Sequence, residues 1–206
     1  MKKSSYEMNL YELKKDLSME TGFGYPVFLA GMLFWLFVGI SSFFVTQQTL
    51  VWMYVFGIGA IMPLAILISK LLRVNFLSAH NPLLTVAGLV GGVQLFFAPL
   101  VIMIVLHQPD WIPFAIGVLT GAHFLPYVWI YDSKVYLFQT IAAVFVASFF
   151  GIIFMELSFH LVPFALSIVY SVTLLLLIRQ HRLLMMQDVF SIEREGKVRD
   201  KSEFIQ

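Results

Sequence analysis

Cysteine is absent from the 206 residues. That excludes disulfides, thiolate metal sites and cysteine nucleophiles, and it leaves the redox compartment undetermined. Charge is scarce. Only 12% of residues are Asp, Glu, Lys or Arg, against 60% hydrophobic, where soluble domains run near a quarter charged. A soluble core cannot absorb that much apolar surface, so the bilayer must solvate most of the chain. Catalytic and nucleotide-binding signatures are missing too: there is no H-E-x-x-H, no G-x-S-x-G, no P-loop and no pair of aspartates within a span. No Asp, Glu, Lys or Arg falls in mid-span. Ion-coupled carriers usually need buried carboxylates, so facilitated passage fits better than pumping.

What is present is a series of long apolar runs. Six of them, at about 25–45, 49–71, 82–106, 111–131, 135–155 and 159–178, each reach the ~20 residues that a ~30 Å hydrocarbon core requires. Several connections are very short, such as Thr46-Gln47-Gln48, His107 to Asp110 and Asp132 to Lys134. They leave room only for tight antiparallel turns. The expected fold is therefore all-α: a polytopic bundle of six spanning helices arranged as three hairpins. Residues 1–24 read as an amphipathic helix, with Tyr6, Leu10, Leu13 and Leu17 at helical spacing and Ser4-x-x-Glu7 as a capping box. That helix either lies on an anionic leaflet or packs on the bundle. Lys2 and Lys3 lead into a polar stretch, not an apolar core, so no cleavable signal peptide is expected. Leu183, Met186 and Phe190 keep helical spacing beyond the sixth span, so residues 179–206 read as a helical extension that ends at Gly196 and then a tail.

The second shortage is of basic residues in one set of loops. With six spans, both termini share a side with the second and fourth loops. All 13 Lys and Arg fall on that side: Lys2, Lys3, Lys14, Lys15, Lys70, Arg73, Lys134, Arg179, Arg182, Arg194, Lys197, Arg199 and Lys201. The positive-inside rule makes it the cytoplasm, so both termini are expected there, in a multi-pass protein of the cell membrane. A count of five or seven spans would break the segregation.

Small and polar residues within the spans mark the candidate sites. Gly88 and Gly92, Gly57 and Gly59, Gly117 and Gly121, and Ala143, Ala147 and Gly151 read as packing faces, while Pro63, Pro99 and Pro126 can mark broken helices. His123 is the most central ionisable group. Thr120 and Tyr127 share its helix face, Gln94 lies near the middle of the third span, and Ser167, Tyr170 and Ser171 share a face of the sixth. If these seven converge, they line a polar cavity that binds a neutral solute by hydrogen bonds. Otherwise Gln94 and His123 are interhelical glue, worth ~0.5–2 kcal/mol each. On the opposite side, His107, Asp110, Glu156 and His160 are a candidate set of ligands for a divalent metal.

The stretches Gly88-Leu89-Val90-Gly91-Gly92-Val93-Gln94 and Gly121-Ala122-His123-Phe124-Leu125-Pro126-Tyr127 resemble those of an uncharacterised family of small six-helix bacterial integral membrane proteins. The resemblance runs from the amphipathic segment through the sixth span. It implies a bacterial origin and a plasma-membrane location, and it imports no activity.

Three functions follow as expectations. The first is a transporter or channel-like facilitator of a small uncharged solute, lined by Gln94, Thr120, His123, Tyr127, Ser167, Tyr170 and Ser171. The second is a non-catalytic scaffold, sensor or accessory subunit acting through its cytoplasmic tail. The third is a metal-dependent membrane enzyme using the opposite-face cluster. No cofactor is implied. The expected partners are the lipid bilayer, with a small solute and self-association left open, and no nucleic acid.

Overall fold

The computed structural model describes residues 8–77 and 80–203, and the side chains of these except 189 and 191–203. Every regular element among the described residues is helical. Six helical runs are long and apolar enough to cross a membrane: Leu10–Ser41, Gln47–Leu71, Pro82–His107, Pro109–Ile130, Lys134–Ile153 and Met155–Asp188. The chain is an integral membrane protein by that measure.

The runs are divided by local breaks. In the first, α1 (Leu10–Thr21) turns into α2 (Tyr25–Ser41) through Gly22, Phe23 and Gly24. All three residues have positive φ, at 61°, 52° and 68°. A left-handed residue with a side chain costs ~1–2 kcal/mol, so the surroundings must hold Phe23 in place. It is buried, and its carbonyl accepts a 2.7 Å hydrogen bond from Tyr136 Oη. A Cβ on Gly22 would strike the Tyr25 ring at 2.5 Å.

The second run is α3 (Gln47–Gly57) and α4 (Ile61–Leu71), joined by a 3-10 turn at Ile58–Ala60. The third is α5 (Pro82–Gly92) and α6 (Ala98–His107), joined by a 3-10 stretch at Val93–Phe97. The fourth is α7 (Ile112–Ala122) and a short α8 (Tyr127–Ile130). Pro99 lies in the first turn of α6, and Pro126 is the N-cap of α8. Each new segment thus starts where proline's missing N–H is tolerated. The fifth is α9 (Lys134–Ser148), which loosens into a π-helical turn at Phe149–Ile153. The sixth, α10 (Ser158–Glu203), runs for 46 residues. It passes through Gly196 without stopping, where the sequence predicts an end. One glycine costs a helix only ~1 kcal/mol relative to alanine.

Capping follows short polar side chains. Asn9 Oδ1 accepts from Glu12 N at 2.9 Å, and Glu12 Oε2 accepts from Asn9 N at 3.0 Å. This is a complete capping box. The Ser4–Glu7 box predicted from sequence lies outside the described residues. Thr46, Asn81 and Ser133 cap α3, α5 and α9 in the same way.

The centre of the bundle is α2, α7, α9 and α10, with the largest contacts between α2 and α10 and between α7 and α9. The α7–α9 seam depends on small residues. A Cβ on Gly117 would lie 2.6 Å from Ala147 Cβ, one on Gly121 would lie 2.9 Å from Ala143 Cβ, and one on Gly151 would lie 2.6 Å from Phe114 Cβ. The predicted faces at Gly117/Gly121 and Ala143/Ala147/Gly151 are thus two sides of one contact. Gly31 admits the Tyr170 ring, and Gly57 admits Phe34. Gly59, Gly88 and Gly92 are different: nothing lies within 4 Å of a Cβ built on any of them. They do not pack within this chain. The third run is peripheral, with 6% of its most apolar stretch buried against 44% for the fourth and sixth.

One end of the bundle is defined by contacts. Lys15 pairs with Asp188 at 2.7 Å, Asn81 Nδ2 donates to Leu13 O at 2.8 Å, and Ser133 Oγ donates to Gln180 Oε1 at 2.7 Å. This gathers α1, the second and fourth loops and the α10 extension at one end, which also carries Lys14, Lys70, Arg73, Lys134, Arg179 and Arg182. α1 packs on the bundle through Leu17, Ser18 and Thr21, which are buried, while Leu10 and Tyr11 are exposed.

The seam generates a test. Gly117→Ile forces a side chain into Ala147 and should cost ~1–3 kcal/mol, read as a lower melting temperature in detergent. Gly88→Ile, facing open space, should stay within about 0.5 kcal/mol of the parent. Equal loss in both variants would contradict this packing.

Candidate functional site

The seven candidate lining residues fall into two groups. Gln94, Thr120, His123 and Tyr127 meet where the third and fourth runs break. Gln94 Nε2 lies 2.9 Å from His123 Nδ1, and the same Nδ1 lies 2.6 Å from the Thr120 carbonyl oxygen. One turn further on, Tyr127 Oη donates to Ala87 O at 2.7 Å. Ser167, Tyr170 and Ser171 face elsewhere. Ser167 Oγ donates to Met32 O at 3.3 Å, and Ser171 Oγ donates to Ser167 O at 2.8 Å. Tyr170 fills the notch over Gly31 and touches Phe28 and Phe124, with centroids at 5.7 and 6.1 Å.

Most of these contacts bind a side chain to a backbone carbonyl. In hydrocarbon no water can serve a carbonyl freed by a break, so a nearby side chain or a local 3-10 or π bond does. Gln139 and Thr140 lie on α9. Gln139 is fully buried and its Oε1 accepts from Thr173 Oγ1 at 2.6 Å, which ties α9 to α10. A groove of about 460 Å³ opens between α2 and the second run, lined by Leu33, Phe34, Phe37, Met53, Gly57, Ala60, Ile61 and Leu64. It is apolar, and none of the seven residues lines it.

The proposed metal ligands are also dispersed. His160 Nδ1 lies 2.7 Å from Ser42 Oγ, and its ring stacks on Phe43 at 5.1 Å. The Asp110 carboxylate accepts from Gln47 Nε2. Among the described residues no group of three or more His, Asp or Glu side chains could hold a metal ion. His160 and Asp110 thus bond Ser42 and Gln47, and the four candidates do not form such a group.

The densest arrangement is at the basic end, and the sequence reading did not single it out. Tyr127, Tyr131 and Tyr136 stack nearly parallel. Tyr131 and Tyr136 are 5.3 Å apart at 5°, and Tyr127 and Tyr136 are 5.6 Å apart at 17°. Phe23, Phe28 and Phe124 pack around them. Thr21 Oγ1 lies 3.3 Å from Tyr131 Oη, so this cluster is joined to the end of α1. Lys14 Nζ sits 4.1 Å above the Trp129 ring, a cation–π contact. Tyrosine and tryptophan gather at membrane–water boundaries because one edge is apolar and the other polar. That preference was the available signal, since Trp129, Tyr131 and Tyr136 flank the charged turn at Asp132.

A double-mutant cycle checks the His123 contact. Gln94→Leu and His123→Phe should couple by ~0.5–2 kcal/mol in unfolding free energy. Strict additivity would remove the bond.

A family model describing a family of unknown function, DUF7010, matches residues 10–180. No curated protein matches the chain, and no solved structure does. The matched region takes in α1 and all six apolar runs up to the base of the α10 extension, and the chain belongs to the DUF7010 family.

Proposed function

We propose that the protein is a non-catalytic membrane scaffold or accessory subunit, and that it works through its basic end, which the positive-inside rule assigns to the cytoplasm. The observation that carries this reading is the length of α10. Its 46 residues make a rod of ~69 Å, more than twice a ~30 Å hydrocarbon core. From Arg179 to Glu203 it projects roughly 37 Å past the basic boundary.

The root of this arm is fixed and its flank is apolar. Lys15 of α1 grips Asp188, and Ser133 holds Gln180. Next to these contacts Leu183, Met186 and Phe190 stand 47%, 53% and 66% exposed at i, i+3 and i+7. An apolar stripe of that spacing, outside the hydrocarbon, is the form in which a helix docks into a groove of a partner protein. A rigid base orients it.

The facilitator reading asks for a wet path, and the geometry favours it less. Its candidate residues divide between a His123 group and a Ser167 group, and most of them bond backbone carbonyls.

Truncation separates the two readings. In a strain lacking the gene, a chain ended after Asp188 keeps the Lys15 contact and should accumulate in the membrane, yet fail to restore the parental phenotype. Met186→Glu with Phe190→Glu in the full chain should fail as well. Complementation by both variants would contradict the reading.

A further inference from the structure

We propose that His123 and Gln94 form a lateral site, open to the hydrocarbon, that binds the hydroxyl group of a bilayer-resident lipid alcohol or phenol. This inference is independent of the α10 arm.

It starts from the break in the fourth run. The N–H of Phe124 bonds to Gly121 O at 3.3 Å, so it does not serve Thr120 O, its normal α-helical acceptor. The Thr120 carbonyl is instead met by His123 Nδ1 at 2.6 Å. A carbonyl oxygen only accepts, so Nδ1 carries the hydrogen and Nε2 of the neutral ring keeps its lone pair. No hydrogen bond among the described residues involves Nε2. The Gln94 amide lies 2.9 Å from the same Nδ1. A hydrogen on Nδ1 favours the amide oxygen as the near atom, because the two amide orientations are equivalent in shape. The Gln94 NH₂ is then turned away from the ring. The pair thus offers one acceptor, His123 Nε2, and one donor, the Gln94 NH₂. A hydroxyl can donate to the first or accept from the second.

The route to the pair is sideways. Gln94 and His123 are half-buried, and Val93, Leu95, Ala122 and Leu125 around them are exposed. Phe124 and Tyr127 flank the imidazole, at 4.0 and 6.1 Å between centroids. His123 lies eight residues before Tyr131, ~12 Å from the basic boundary at helical rise. Phospholipid headgroups stay outside that depth, whereas a neutral lipid with one hydroxyl can reach it. An imidazole nitrogen without a partner in apolar surroundings is unfavourable, and an entering hydroxyl removes that penalty.

The probe is farnesol, with farnesyl methyl ether as the analogue that cannot donate. The full-length chain, labelled with ¹⁵N-histidine and ¹³C-threonine, is placed in phosphatidylethanolamine/phosphatidylglycerol bilayers and examined by solid-state NMR. The His123 signals are identified through the Nδ1–Thr120 carbonyl contact, which needs no variant. Farnesol should shift the Nε2 resonance toward a hydrogen-bonded value, the ether should leave it unmoved, and Gln94→Leu should weaken the farnesol response several-fold. Equal shifts with both compounds, or no shift with either, would overturn the proposal. So would an Nε2 already hydrogen-bonded in ligand-free bilayers, whether to water or to a second copy of the chain, the second recognised by its loss in single-chain nanodiscs.

Discussion

The structure depends on one constraint. Hydrocarbon offers a backbone carbonyl no water, so each break in a spanning helix is met either by local 3-10 or π-helical bonding or by a side chain. The chain breaks its helices often, at Ile58–Ala60, Val93–Phe97, His123–Pro126 and Phe149–Ile153, and it turns left-handed at Gly22–Gly24. Bonds from side chains to backbone carbonyls, at the breaks and within helices, account for much of its polar inventory. His123 serves Thr120, Tyr136 serves Phe23, Tyr127 serves Ala87 and Ser167 serves Met32. Each of these bonds except the first joins two different runs, so satisfying a carbonyl also fixes the position of a neighbour.

Close packing supplies the remaining order. Where α7 meets α9 and the π turn after it, glycine and alanine leave no room for a methylene, and the two backbones approach along about two turns. No hydrophobic gain drives this contact, because lipid tails are as apolar as leucine. Dispersion between well-fitted surfaces does. The third run lacks such a seam and is held mainly by Asn81, Gln94 and the Tyr127–Ala87 bond.

The six spans and the segregation of basic residues were legible in the sequence because both follow from local hydropathy and charge. The Gly117/Gly121 face was legible for the same reason: small residues four apart mark a contact wherever its partner lies. The choice of partner was not legible. Gly88 and Gly92 carry the same pattern and meet nothing, since pairing is decided by the whole bundle. His123 was readable as a polar anomaly, but its bond to Thr120 O depends on a break that hydropathy does not encode. The four metal candidates shared a side, yet nothing in their spacing required them to meet. The tyrosine stack was hidden because Tyr127, Tyr131 and Tyr136 come from both sides of a turn whose geometry turns on Asp132, itself at a φ of 47°.

These observations give a bundle in which many polar side chains bond its own backbone, and an arm clamped at the basic end as its outward surface. Water access along the chain tests this most directly, and the absence of native cysteine makes it clean. The variants Thr120→Cys, Tyr170→Cys, Ser167→Cys, Met186→Cys and Phe190→Cys would each be exposed in native membranes to a membrane-impermeant maleimide from the basic side. The account predicts rapid labelling of Met186→Cys and Phe190→Cys and none of the other three. Labelling of Thr120→Cys, Tyr170→Cys and Ser167→Cys at comparable rates would reveal a continuous aqueous path and contradict it.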